Sequence, residues 1–264
     1  MNEIKKFASK LKNVIMRKSI LPDHVPQNLL IQQAADYFNL PKDDVIARYK
    51  DYRQYHVEQQ YEMRLGERKT LCFEEAFLLY LCILRMHPKQ IVEIGTQYGK
   101  STRRIIDLLH FAGITNCKIT CFDIVDQVKY FSPEEADLKL YDVTNNFQEH
   151  VLLKLNPELI FLDARPYWLL FHVISKFLAW SNTHISILAI HDCSPRLYKP
   201  HMKIPKTEAG LITSRTGVWE RHVLREVFQV PNRLLDDLNS PTHYMKIFNT
   251  PHGLSIISPK NKGN

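Results

Sequence analysis

The spacing of apolar residues changes character twice along the chain. Up to about position 86 they return every three or four residues among good helix formers, which predicts helices at 28–38, 41–62 and 73–86. From 91 onward, short unbroken apolar runs alternate with helical spacing. The runs predict strands at 91–95, 118–124, 138–141, 159–163 and 185–191, with helices starting near Ser101, Phe147 and Tyr167 and a short piece at 133–136. Runs apolar on both faces belong to parallel strands covered on both sides. After Cys193 the period disappears for more than twenty residues, up to Gly217, and a loop of that length inside a compact domain is usually a functional lid or disordered. A helix at 218–230 follows. Strands at 244–249 and 254–258, joined by Thr250-Pro251-His252-Gly253, then form an antiparallel hairpin. The expected class is α/β, a Rossmann-like, mostly parallel seven-stranded sheet with an antiparallel terminal strand. The expected organisation is a helical N-terminal cap over 1–86 and a sheet domain over 87–264.

Composition adds constraints. Hydrophobic residues make up 45% and charged residues 24% of 264, ordinary for a soluble globular protein. The longest apolar run, 77–84, is too short to span a bilayer, and no apolar signal segment follows the basic start. Five scattered cysteines, at 72, 82, 117, 121 and 193, include no C-x-x-C pair and read as reduced thiols of a cytoplasmic protein. Of the net charge of +7, five units fall within 1–20, where Lys5, Lys6, Lys10, Lys12, Arg17 and Lys18 face only Glu3. Ile4, Phe7, Leu11, Val14 and Ile15 recur there at helical spacing, so a basic amphipathic helix packs on its own domain, frays, or makes peripheral contact with an anionic membrane. The rest of the chain is nearly balanced and carries no nucleic-acid module.

The chemistry concentrates in residues 91–102, Ile-Val-Glu-Ile-Gly-Thr-Gln-Tyr-Gly-Lys-Ser-Thr. A strand, a glycine turn and a helix start bring backbone N–H groups against a ligand. Three residues separate Gly95 from Gly99-Lys100-Ser101, one fewer than a phosphate-binding P-loop needs, and Glu93 at the strand end would repel a triphosphate. The dinucleotide pattern fails because Gln97 stands at its second glycine. A carboxylate beside such a turn suits a cationic ligand with hydroxyls and no phosphate, such as S-adenosylmethionine. The alternative is a turn whose glycines serve packing alone. Asp123 ends the second strand, 28 positions after Gly95, where an acid bridges ribose hydroxyls; otherwise it caps a loop.

Glu93 to Thr102, Cys121-Phe122-Asp123-Ile124, Leu159-Ile160-Phe161-Leu162-Asp163, Ile190-His191-Asp192, Gly217-Val218-Trp219 and Gly253-Leu254-Ser255 together resemble the class I S-adenosylmethionine-dependent methyltransferases. The resemblance covers roughly 90–258 and is nearest to the subgroup of sugar, macrolide and cephalosporin-type tailoring O-methyltransferases. It implies a final strand inserted antiparallel beside the fifth. It also implies a donor site formed by Glu93, Gly95, Thr96, Gln97, Tyr98, Gly99, Ser101, Asp123 and Ile124, with Asp142 at the adenine amine or, alternatively, capping the next helix. The chemistry falls to Asp163, His191 and Asp192. Asp163 and Asp192 stand where metal-using relatives hold a divalent cation such as Mg2+, and His191 is a candidate general base.

One departure bears on this. Where relatives have Asp-Gly, an acid or histidine, and Tyr, this chain has Asp163-Ala164-Arg165-Pro166-Tyr167, with a positive charge where a base or further ligand is expected. The loop at 194–216 carries Arg196, Lys199, His201, Lys203, Lys206 and Arg215 against Glu208, which suits an anionic small-molecule or glycan acceptor or else is a solvated charged loop. Tyr198 and Trp219 either stack on an acceptor or pack internally. The expected function is O-methylation of a sugar or small-metabolite hydroxyl. The alternatives are a non-catalytic donor-binding scaffold and a P-loop-like phosphotransferase.

Overall fold

The computed structural model describes residues 27–59, 71–199 and 219–260. The basic helix expected at 1–20, the end of the helix expected at 41–62 and most of the 194–216 loop lie outside the described residues. Three helices come first, α1 (Gln27–Phe38), α2 (Lys42–Glu58) and α3 (Phe73–Met86). Then follow β1 (Gln90–Ile94), α4 (Lys100–Phe111), β2 (Lys118–Asp123), β3 (Asp137–Leu140), β4 (Leu159–Leu162), α5 (Tyr167–Ser181) and β5 (Ile187–Ile190). The chain ends with α6 (Glu220–Phe228), β6 (Asp237–Asn239), β7 (His243–Phe248) and β8 (Leu254–Pro259).

The sheet runs β3-β2-β1-β4-β5-β8-β7-β6. Its first five strands are parallel, and β8 lies antiparallel between β5 and β7. The described residues form eight strands where seven were expected. The additional one is β6, Asp-Leu-Asn at the sheet edge, paired with β7 through Leu238↔Met245. Three residues without apolar alternation give no period to read. The piece expected at 133–136 is a turn, and the helix expected near Phe147 is a π-helical stretch, Gln148–Leu153.

Strand alternation sorts side chains between two cores. Ile91, Leu159, Phe161, Ile187, Ala189, Leu254 and Ile256 face α1–α4; Val92, Ile94, Ile160, Leu162, Leu188, Ile190 and Ile257 face α5 and α6. Helix α3 carries the first core. All of its residues from Glu74 to Ile83 are buried, so its outer side is covered by α1 and α2 while its inner side rests on the sheet. Each fully buried Leu, Ile or Phe contributes roughly 1.5–3 kcal/mol of transfer free energy. Polar contacts fix the helices in place. Tyr37 stacks on Tyr244 with centroids 5.1 Å apart, and its hydroxyl donates to the Ile256 carbonyl at 3.1 Å. Arg104 of α4 donates to His56 Nδ1 of α2 at 2.8 Å and to the Leu71 carbonyl at 3.3 Å. Among the described residues no helix is long and apolar enough to cross a membrane. All five cysteines are free thiols.

Candidate functional site

A cavity of about 640 Å³ opens at the C-terminal ends of β1, β2, β4 and β5. This is the end at which open α/β sheets bind ligands. One wall is the turn from β1 into α4. Gly95, Gln97 and Gly99 all have positive φ there (+91°, +49° and +80°), coiling the backbone tightly before the helix. The turn is tied to β2 from both sides: Gly95 N donates to the Phe122 carbonyl at 2.9 Å, and Gln97 N donates to Asp123 Oδ2 at 2.7 Å. Asp123 Oδ1 accepts from the backbone of Ile124 at 2.7 Å and of Val125 at 3.2 Å. Asp123 is thus oriented by three backbone donors, two on Oδ1 and one on Oδ2, which leaves Oδ2 a lone pair for a hydroxyl.

Thr96, Gln97, Tyr98, Ser101, Asp123, Ile124 and Asp142 line the cavity with Gly95. Asp142 does so while Oδ1 caps the following turn, accepting from Thr144 N at 2.9 Å and from the Thr144 hydroxyl at 2.6 Å. Glu93 and Gly99 do not line it. Glu93 is fully buried behind the turn, where Ser101 donates to it at 2.5 Å, with Thr102 and, at 3.5 Å, Thr96 and Cys121 as further donors. Burial pushes its carboxyl up to about 7 against those hydrogen bonds. It holds the turn against the start of α4.

The opposite end of the cavity is an acid–imidazole cluster, and strand parity explains it. Asp163 and His191 continue the alternation of Leu159, Phe161, Ile187 and Ala189, so both extend β4 and β5 on the α3 side. There His191 Nε2 donates to Glu75 Oε2 at 3.2 Å, while Nδ1 lies 3.3 Å from Asp163 Oδ1 and 3.5 Å from Asp192 Oδ1. Asp192 breaks the alternation with φ +60°, which turns its carboxylate back beside His191. Its other oxygen, Oδ2, meets the half-exposed Arg165 guanidinium at 3.4 Å.

Glu75 is saturated by four donors. Oε2 takes His191 and Cys72 N (3.0 Å), and Oε1 takes the Thr250 hydroxyl (2.7 Å) and His252 N (3.0 Å). Burial raises its pKa, but His191, His252 and the Thr250 hydroxyl together outweigh burial and hold it at about 2. Conversely, burial depresses His191, but Asp163 and Glu75 lift it well above its ordinary value. Burial raises Asp192.

The structure therefore brings Asp163, His191 and Asp192 to one cavity with the donor-turn residues. Asp163 and Asp192, the pair expected to hold a metal, both lie against His191 Nδ1, and Asp192 also shares a compact donor set with His191 and His252, all three donor atoms lying within 4.8 Å of one another. Sequence reasoning missed Glu75 and His252. Glu75 reads as an ordinary first-turn acid, and the available signal was its position inside an otherwise apolar helix. His252 lay in a hairpin turn and is brought in because β8 inserts beside β5. A Cβ at Gly253 (φ +82°) would overlap the Ser194 backbone nitrogen, so the hairpin presses directly on the chain leaving β5. Trp219 is core, packed 5.7 Å from the Tyr167 ring. Tyr198 accepts from Arg225 Nη1 at 2.5 Å rather than lining the cavity.

No family model and no curated protein matches the chain. Among solved structures it is similar to one named as a candidate caffeoyl-CoA O-methyltransferase from Staphylococcus aureus, with 17% identity, 80% of this chain and 99% of that chain covered, and a TM-score of 0.52. An O-methyltransferase from Bacillus cereus in complex with SAH has 13% identity, coverage of 88% and 97%, and a TM-score of 0.47. CmcI, in a structure named Mg-SAM, has 14% identity, coverage of 69% of each chain and a TM-score of 0.43. The first of these together with the sheet order shows the fold: this chain has the Rossmann-like α/β fold of that O-methyltransferase structure.

Proposed function

We propose that this chain is an S-adenosylmethionine-dependent methyltransferase that acts on a hydroxyl of a sugar or small metabolite. The observation that carries the reading is one cavity joining the glycine turn and Asp123 at one end to the Asp163–His191–Asp192 cluster at the other. Its volume lies within the range of small-molecule sites. When bound, S-adenosylmethionine supplies a methyl group on a positively charged sulfur, which an acceptor oxygen takes as it loses its proton. The residues of this chain bind, orient and exclude water. Asp123, held by Gln97 N, Ile124 N and Val125 N, presents the remaining lone pair of Oδ2 to a ribose hydroxyl. Asp142 and Ile124 flank the base, and the acids of the cluster complement a cationic donor.

At the acceptor end, Asp163 takes up the hydroxyl proton, directly or through water, with His191 beside it balancing the carboxylates. Positioning two reactants in one closed cavity accounts for much of the rate. Arg165 and Lys100 also line the cavity, which supports an acceptor bearing an acidic group. The nitrogen and oxygen donors of the cluster fit a divalent ion, which His191, Asp192 and His252 would hold and which would lower the acceptor's pKa.

Calorimetric titration with S-adenosylmethionine tests the donor half of this reading. Binding by the wild type and its loss in Asp123→Ala is the expected result, and equal affinity for the two proteins would refute the assignment. A screen of hydroxyl acceptors with and without divalent ions then separates an enzyme from a donor-binding scaffold, in which Arg165 neutralises Asp192 and no acceptor turns over.

A further inference from the structure

We propose that His191, Asp192 and His252 form a binding site for a borderline transition-metal ion, Zn2+ or Co2+ in kind, in preference to Mg2+. The proposal deepens the methyltransferase reading and rests on it for the ion's role in orienting an acceptor.

Nitrogen donors decide the selectivity. Mg2+ takes oxygen ligands and keeps much of its water, whereas imidazole favours the later divalent ions. Two of the three donors here are imidazoles. His191 is 6% exposed, and its Nδ1 has no aligned hydrogen-bond partner although it points into the cluster. Its other nitrogen is fixed by Glu75 at 3.2 Å, itself fully buried. A metal-binding histidine characteristically has this arrangement, one ring N–H held by a carboxylate while the opposite nitrogen gives up its proton and faces the ion.

Asp192 divides its oxygens in the same sense. Oδ2 is taken by Arg165, while Oδ1 faces His191 Nδ1 at 3.5 Å and His252 Nδ1 at 3.7 Å. Those separations are close to the ~3.3 Å edge of a tetrahedron of ligands around Zn2+. His252 sits one third exposed in the hairpin turn, where side-chain rotation closes the remaining gap. Asp163 Oδ1, 3.3 Å from the same Nδ1, keeps the cluster anionic. The cavity side remains open for an acceptor oxygen, as a catalytic rather than a structural ion requires.

The test uses the full chain, stripped of metal by chelation and dialysis and titrated calorimetrically with Zn2+, Co2+ and Mg2+, with S-adenosylmethionine titrated in parallel. Zn2+ and Co2+ are expected to bind one per chain, about 100-fold or more tighter than Mg2+. His252→Ala is expected to weaken both about 10- to 100-fold and to shift the visible absorption of bound Co2+. Glu75→Gln is expected to weaken them about 10-fold. If His252→Ala lowers the melting temperature, His252→Gln provides the same comparison.

Mg2+ binding as tightly as Zn2+ would overturn the proposal. So would Zn2+ affinity unchanged by loss of His252, or no ion bound by a protein that still takes S-adenosylmethionine. Transition-metal binding without S-adenosylmethionine binding would support the metal site while refuting the donor assignment on which its role depends.

Discussion

A methyl group added at Gly95 would overlap the carbonyl oxygen of Asp163, because the β1–α4 turn passes directly over the end of β4. The backbone there also sits at φ +91°, where an L side chain is strained. Gly95→Ala is therefore expected to lose about 2 kcal/mol or more of stability, from strain and overpacking together, measured by urea unfolding. A loss within experimental error would mean that the turn does not press on β4. The glycine was legible in the sequence; the collision was not, since it depends on a backbone oxygen 68 positions away. Glu75 shows the converse. An acid in the first turn of a helix is explained by the helix dipole alone, so nothing local announces that it reaches a histidine 116 positions later.

Between elements, the Arg104–His56 contact joins α2 to α4. Burial, followed by the neighbouring Arg104 charge, depresses His56 to about 3. The folded chain therefore keeps this ring neutral while the unfolded chain takes up a proton below its ordinary value of 6.5. Stability is lost as pH falls below 6.5, with a slope from this group approaching about 1.4 kcal/mol per pH unit down to about pH 3. His243, depressed by burial to about 4, adds a similar loss over a shorter range. Denaturant unfolding between pH 7 and 4.5 should show a shallower slope for His56→Gln than for the wild type. Coincident slopes would show that His56 titrates alike in both states. Elements with a strong period, the three leading helices, five parallel strands and the final hairpin, were readable in the sequence. The three-residue β6 was not, because it is too short to establish a period, and the helix expected near Phe147 gave no local sign of its π-helical form at Gln148–Leu153.

For the whole molecule, the division expected at residue 86 meets one continuous core, in which α1–α3 cover the same sheet face as α4. A chain covering 87–264 would expose Ile91, Leu159, Phe161, Ala189 and Ile256, so it should be insoluble or lack fixed tertiary packing by near-ultraviolet circular dichroism. A cooperative unfolding transition in that fragment would show that the sheet domain stands alone. The sequence by itself determined the alternating α/β pattern, the reversal of the final hairpin, the glycine turn and the acids at the strand ends, because each is a local matter of period, backbone freedom or strand termination. Only the tertiary structure decided what those acids face. Parity of β4 and β5 places Asp163 and His191 on the α3 side, and insertion of β8 beside β5 adds His252. Glu75 reaches the site from a helix that the sequence offered only as a cap. Contacts between positions more than a hundred residues apart are set by sheet order and packing, which no local pattern encodes.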